Sequence, residues 1–155
     1  MSFHDLITGP WRAVLVLGVT QILAWGAIFY PPVLTVPLIA ADRGWTMSFA
    51  MGGFSLALLC AGIVSSRVGF LIDRYGGHYV MAIGALISAL GLVALVYAHD
   101  RIAYVAAWAL IGVATAASLY DAAFSTLGRI FGMAARRPIT ALTLAGGLAS
   151  TVSWP

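Results

Sequence analysis

The chain has 155 residues, of which 62% are hydrophobic and 8% charged, and its mean hydropathy is +1.00. A soluble domain carries about 25% charged residues, and a chain this small cannot hide so much apolar surface inside itself, so lipid must cover it. The net charge of +3 comes from 8 arginines against 5 aspartates, with no Lys and no Glu, and the arginines sit at the ends of apolar runs rather than along a stripe, which gives nucleic-acid binding no support.

The residues before 13 lack the charged n-region, short apolar core and small-residue cleavage site of a signal peptide. The first apolar run, residues 13–40, exceeds the roughly 20 residues that cross a bilayer and is predicted to be an uncleaved anchor. Within it, Gln21, Trp25 and Phe29 follow at i, i+4 and i+8, a single helical stripe with a polar group deep in hydrocarbon. That stripe either lines a cavity or packs against lipid and neighbouring helices. Pro31, Pro32 and Pro37 remove backbone donors and are expected to kink or loosen the outer half of this span. Trp11 and Trp45 stand where an aromatic belt belongs.

Three further complete spans are predicted at 46–71, 79–98 and 102–128, with a fifth run at 139–155. The links are short and charged: Asp42-Arg43-Gly44, then Asp73 to His78, then His99-Asp100-Arg101, then Arg129 to Pro138. Short links make neighbours antiparallel. The predicted fold class is therefore all-α, a polytopic transmembrane helical bundle of four complete spans and a truncated fifth. The fifth run reaches Pro155 with no closing charge or turn, so the chain is expected to be the N-terminal portion of a longer protein. In the third span, Gly84, Ser88 and Gly91 have the spacing that lets helices approach closely. With the N-terminus inside, Arg12, Arg67, Arg74, Arg129, Arg136 and Arg137 are cytoplasmic and only Arg43 and Arg101 are outside, so the positive-inside rule sets that orientation.

Asp121 is the one acid at membrane depth and should face a cavity or a partner. Ser118, Asp121 and Ser125 fall at i, i+3 and i+7 and so share a helical face, which Thr115 extends outward. Three roles are open to Asp121: a proton or substrate-cation site, an ion pair with Arg67, or a hydrogen bond within helix packing. Arg67 for its part can snorkel to the inner interface. Cys60 is the only cysteine and lies in an apolar run, which excludes an intramolecular disulfide. His4, His78 and His99 have no metal-ligand spacing, and there is no nucleophile elbow and no phosphate loop, so no catalytic residue, metal or cofactor is expected.

The second link reads Gly69-Phe70-Leu71-Ile72-Asp73-Arg74-Tyr75-Gly76-Gly77-His78. It resembles the loop motif of the major facilitator superfamily, Gly-x-Leu-x-Asp-Arg-x-Gly followed by two basic residues. Gly69, Leu71, Asp73, Arg74 and Gly76 match, whereas Gly77 and His78 replace the basic pair. The stretch Gln21-Ile22-Leu23-Ala24-Trp25-Gly26-Ala27-Ile28-Phe29-Tyr30 is similar to the branch containing oxalate/formate and monocarboxylate-type carriers. The resemblance implies the first four to five of twelve helices of a secondary transporter. Its substrate would be a small solute, perforce between two helical halves, with a small organic anion as the candidate and a proton or counter-solute as coupling partner. The missing C-terminal half and the lipid bilayer are the other expected partners. It implies a conformational latch at Gly69, Leu71, Asp73, Arg74 and Gly76, with Arg129 as the nearest candidate partner of Asp73, and a cavity lined by Gln21, Trp25, Ser118 and Asp121. A bacterial inner membrane is the expected location. A small membrane scaffold or subunit, or a channel-forming oligomer, is the alternative.

Overall fold

The structure is a computed structural model that describes residues 9–153, with the side chains of residues 150, 152 and 153 left aside. His4 and the end of the fifth run at Trp154-Pro155 lie outside the described residues. All regular structure among the described residues is helical. Span one consists of α1 (Trp11–Ala24), a π-helical turn (Trp25–Phe29) and α2 (Pro31–Arg43). Span two is α3 (Met47–Tyr75) and span three is α4 (Gly77–Tyr97). Span four contains α5 (Arg101–Ser118), α6 (Tyr120–Phe131) and a 3-10 turn (Gly132–Ala134). A last helix, α7 (Arg136–Ser153), packs along α1. The four spans are long and apolar enough to cross a membrane, and α7 falls outside that group. The chain is a multi-pass α-helical membrane protein.

The helices outrun the apolar runs that predict them, because hydrophobic length measures the hydrocarbon crossing while backbone bonding continues into the interface. The ends are set by caps instead. Thr46 accepts the Phe49 N–H at 3.3 Å and opens α3. Asp100 accepts the Ile102 and Ala103 N–H groups at 2.9 and 2.8 Å and opens α5. Gly44, at φ 63°, closes span one. The second link shrinks to Gly76 alone, at φ 95°, so Asp73, Arg74 and Tyr75 are the last turn of α3 rather than a loop. The helix is irregular just before Pro31, while Pro37 lies inside a regular α-helix. The irregularity is the π-helical turn, and Pro31 restarts the helix at the position where its missing N–H is least needed.

Span four is the centre of the bundle: 56% of its apolar window is buried within the protein, against 22% for spans two and three. Tyr104, Trp108 and Ile111 form one buried core with Ala50 and Ala57 of α3. The Tyr104 hydroxyl donates to the Ala50 carbonyl at 2.9 Å. Trp45 packs edge-on against Tyr104 at 5.0 Å, so it belongs to this core as well as to the interface. On α4, Gly84, Ser88 and Gly91 form the buried ridge that the spacing predicts. A Cβ at Gly84 would stand 2.7 Å from both the Ala117 Cβ and the Ser118 Oγ, so the close approach needs glycine there. The opposite face of α4 is exposed and apolar, at Leu86, Leu90, Val93 and Tyr97. Small residues inside and large apolar ones outside is the arrangement that lipid selects.

Two arginines tie helix ends together through carbonyls. Arg43 donates to the carbonyls of Ala98, Leu95 and Val96 at the end of α4. Arg129 donates from Nη1 to the Ile72 carbonyl at 2.8 Å, near the end of α3. Each guanidinium meets carbonyls at a helix C-terminus, where the dipole favours positive charge, and the Ile72 carbonyl also accepts the Gly76 N–H at 2.9 Å.

Candidate functional site

Span four breaks at Leu119, whose φ −90° and ψ −158° are extended rather than helical. The break lies near the middle of the span, where an unpaired backbone group finds no water in lipid. Gln21 of α1 answers it. This residue is fully buried, and its Nε2 donates to the Ser118 carbonyl at 2.8 Å. One turn on from Gln21 the π-helical turn begins at Trp25, and its indole meets the Tyr120 ring at 5.1 Å. Tyr120 in turn stacks on Phe124 at 5.1 Å with the planes 8° apart. Two backbone irregularities, one in span one and one in span four, thus face each other. Three buried polar atoms in this region have no hydrogen-bond partner: Gln21 Oε1, Trp25 Nε1 and Ser118 Oγ. Such atoms destabilise the protein unless a ligand or water meets them.

The structure brings Gln21, Trp25 and Ser118 together and sets Asp121 apart from them. A common face for residues 118 and 121 needs one continuous helix, and the extended Leu119 between them changes the register. Ser118 therefore lies against α1 and Gly84 of α4. Asp121 and Ser125 face span two instead. The Ser65 hydroxyl donates to Asp121 Oδ2 at 2.9 Å, and Ser125 Oγ is 4.0 Å from where a Gly69 Cβ would stand. Thr115 bonds within its own turn, to the Ile111 carbonyl at 2.8 Å.

The Arg67–Asp121 pair gives way to Ser65–Asp121. Two residues along an α-helix turn the side chain by about 200°, so when Ser65 faces span four Arg67 faces away. Arg67 is exposed. Asp121 also has a reason to be at this depth that periodicity does not supply. It lies in the first turn of α6, whose unpaired N–H groups carry partial positive charge. The break creates a helix N-terminus inside the span, and the carboxylate compensates it. Ser65 is the residue that sequence reasoning passed over; the Ser65-Ser66 pair in an apolar run was the available signal.

At the C-terminal end of α3, Asp73 and Arg74 are exposed and Leu71 is 40% exposed. Arg74 lies over the Tyr75 ring at 5.3 Å. Arg129 reaches the motif through its backbone, at the Ile72 carbonyl, rather than through the Asp73 carboxylate. A side chain at Gly76 would meet Arg129 Nη1 at 3.1 Å, and its positive φ adds a second reason for glycine. No group of three metal-ligating side chains occurs among the described residues. Comparison with family profiles, curated proteins and solved structures finds no match for the chain.

Proposed function

We propose that this chain is the N-terminal portion of a secondary transporter of the major facilitator type, moving a small solute by alternating access. The observation that carries the reading is the broken span four. It puts Asp121 on the exposed side of a membrane-spanning helix and sets Gln21, Trp25 and Ser118 around irregular backbone. Broken helices at membrane depth are tolerated where they line a cavity, and transporters use them at substrate sites. Gln21, Trp25 and Ser118 would contact the solute, and Asp121 with Ser65 would hold a proton or a cation. A small organic anion is the candidate substrate. The last turn of α3 and Gly76 supply the latch, with Arg129 fixing its backbone. The excess of arginines at one end supports a cytoplasmic N-terminus, and a bacterial inner membrane is the proposed location.

The test is uptake of radiolabelled small carboxylates by cells expressing the complete reading frame that contains this chain. Saturable uptake above vector level is expected, and Asp73→Ala should reduce it by at least about tenfold, or roughly 1.4 kcal/mol, with membrane insertion unchanged. Uptake at vector level across the panel sinks the transport reading. Normal uptake by Asp73→Ala sinks the latch.

A further inference from the structure

An open groove of about 740 Å³ runs along the bundle between α1 and α4, with α6 as its floor. Its walls are small or apolar: Ala13, Leu17 and Thr20 on one side, Ala82 and Ala85 on the other. One end differs. Arg129 and His78 line it there, beside Gly76. Arg129 uses one guanidinium N–H on the Ile72 carbonyl, out of the five such donors an arginine carries. Arg12 and Arg74 stand next in sequence to groove residues Ala13 and Tyr75, with Asp73 the acid at the same end. A second groove, of about 490 Å³ between α3 and α4, is lined by Val64, Val68, Ile83 and Ile87 among others and has no cation in its lining.

We propose that the first groove is a binding site for an anionic phospholipid, with an acyl chain between α1 and α4 and the phosphate at Arg129 and His78. The charge of the groove end selects the occupant. A phosphate offers acceptors in fork geometry to guanidinium donors, and an acyl chain matches the apolar walls. A protein helix laid in the same groove would cover Arg129 and His78 with no acceptor to meet their remaining donors. The residues reach from Ala13 to Ala24 on α1, about 16 Å of helix rise, which is roughly half of the hydrocarbon core and so the depth of one leaflet. The second groove, lacking a cation, should take chains without regard to headgroup. The site is independent of whether the protein transports anything.

The full chain, delipidated in detergent, is offered equal amounts of phosphatidylglycerol and phosphatidylcholine with identical chains, and retained lipid is read by native mass spectrometry. Phosphatidylglycerol should be retained about fivefold over phosphatidylcholine, as expected for one arginine at a membrane surface. Arg129→Gln should bring the ratio to about one. Because that variant also loses the Ile72 bond, a second one leaves the cations untouched: Ala82→Phe with Ala85→Phe fills the groove and should remove the preferential phosphatidylglycerol retention. Equal retention of both lipids by the wild-type chain overturns the proposal. So does a preference that survives in both variants, competition by inorganic phosphate alone, or a dimer that forms in place of the lipid adduct.

Discussion

Spans three and four are antiparallel neighbours, both apolar enough to cross a membrane, yet they are built to opposite ends. Span three is one uninterrupted helix of 21 residues, with a glycine and serine ridge inside and leucines outside. Span four covers 34 residues, is the most buried of the four, and is broken at Leu119. Ser118, Asp121, Ser125 and Thr126 all lie within about two helical turns of that break. Regular backbone needs no outside donors and can face lipid directly. Broken backbone needs them, and here Gln21 of span one and Ser65 of span two provide polar contacts on either side. The contrast teaches that in span four the polar side chains gather where the backbone departs from helix, whereas unbroken span three buries a single serine in its glycine ridge.

Four substitutions sharpen that contrast. The largest effect belongs to the regular span: Gly84→Leu overpacks the contact with Ala117 and Ser118 and should destabilise the protein by about 3 kcal/mol. Loss of helicity at lower denaturant in a detergent unfolding titration checks it, and wild-type stability would mean that the close approach is not needed. At the break, Gln21→Leu strips the Ser118 carbonyl of its donor and should cost about 1–2 kcal/mol in the same titration. If its stability is unchanged, something other than Gln21 holds the two half-helices. The smallest effect is at Asp121, where Ser65→Ala should cost about 0.6 kcal/mol, the usual size of a hydrogen bond between membrane helices. Arg67→Gln, on the opposite side of the same helix, should change stability by less; an effect larger than that of Ser65→Ala would restore Arg67 as the partner.

Much of the fold could be read from the sequence because lipid enforces a simple rule. Apolar runs of sufficient length with arginines at their ends become spans, and all four long spans lie where the runs do. The glycine ridge of span three was legible for the same reason, since spacing alone decides which residues share a face of an unbroken helix. The break was not legible. Ser118-Leu119-Tyr120 contains neither glycine nor proline, and every residue in it is compatible with helix. Asp121 was the trace it left, an acid that marks the first turn of a new helix rather than the middle of an old one. Missing the break then misplaced Ser118 and Asp121 on a common face. The single-residue link at Gly76 was hidden differently, because charged residues such as Asp73 and Arg74 can belong equally to a loop or to a last helical turn.

The position of Asp121 also has an electrical meaning. A charge near the middle of the bilayer senses about half of the transmembrane voltage, roughly 1 kcal/mol for every ~100 mV. Ser65 meets the carboxylate with a single hydrogen bond, and the half-helix that carries it begins just after one extended residue. Any displacement of an ionised Asp121 along the membrane normal would therefore do work with or against the field.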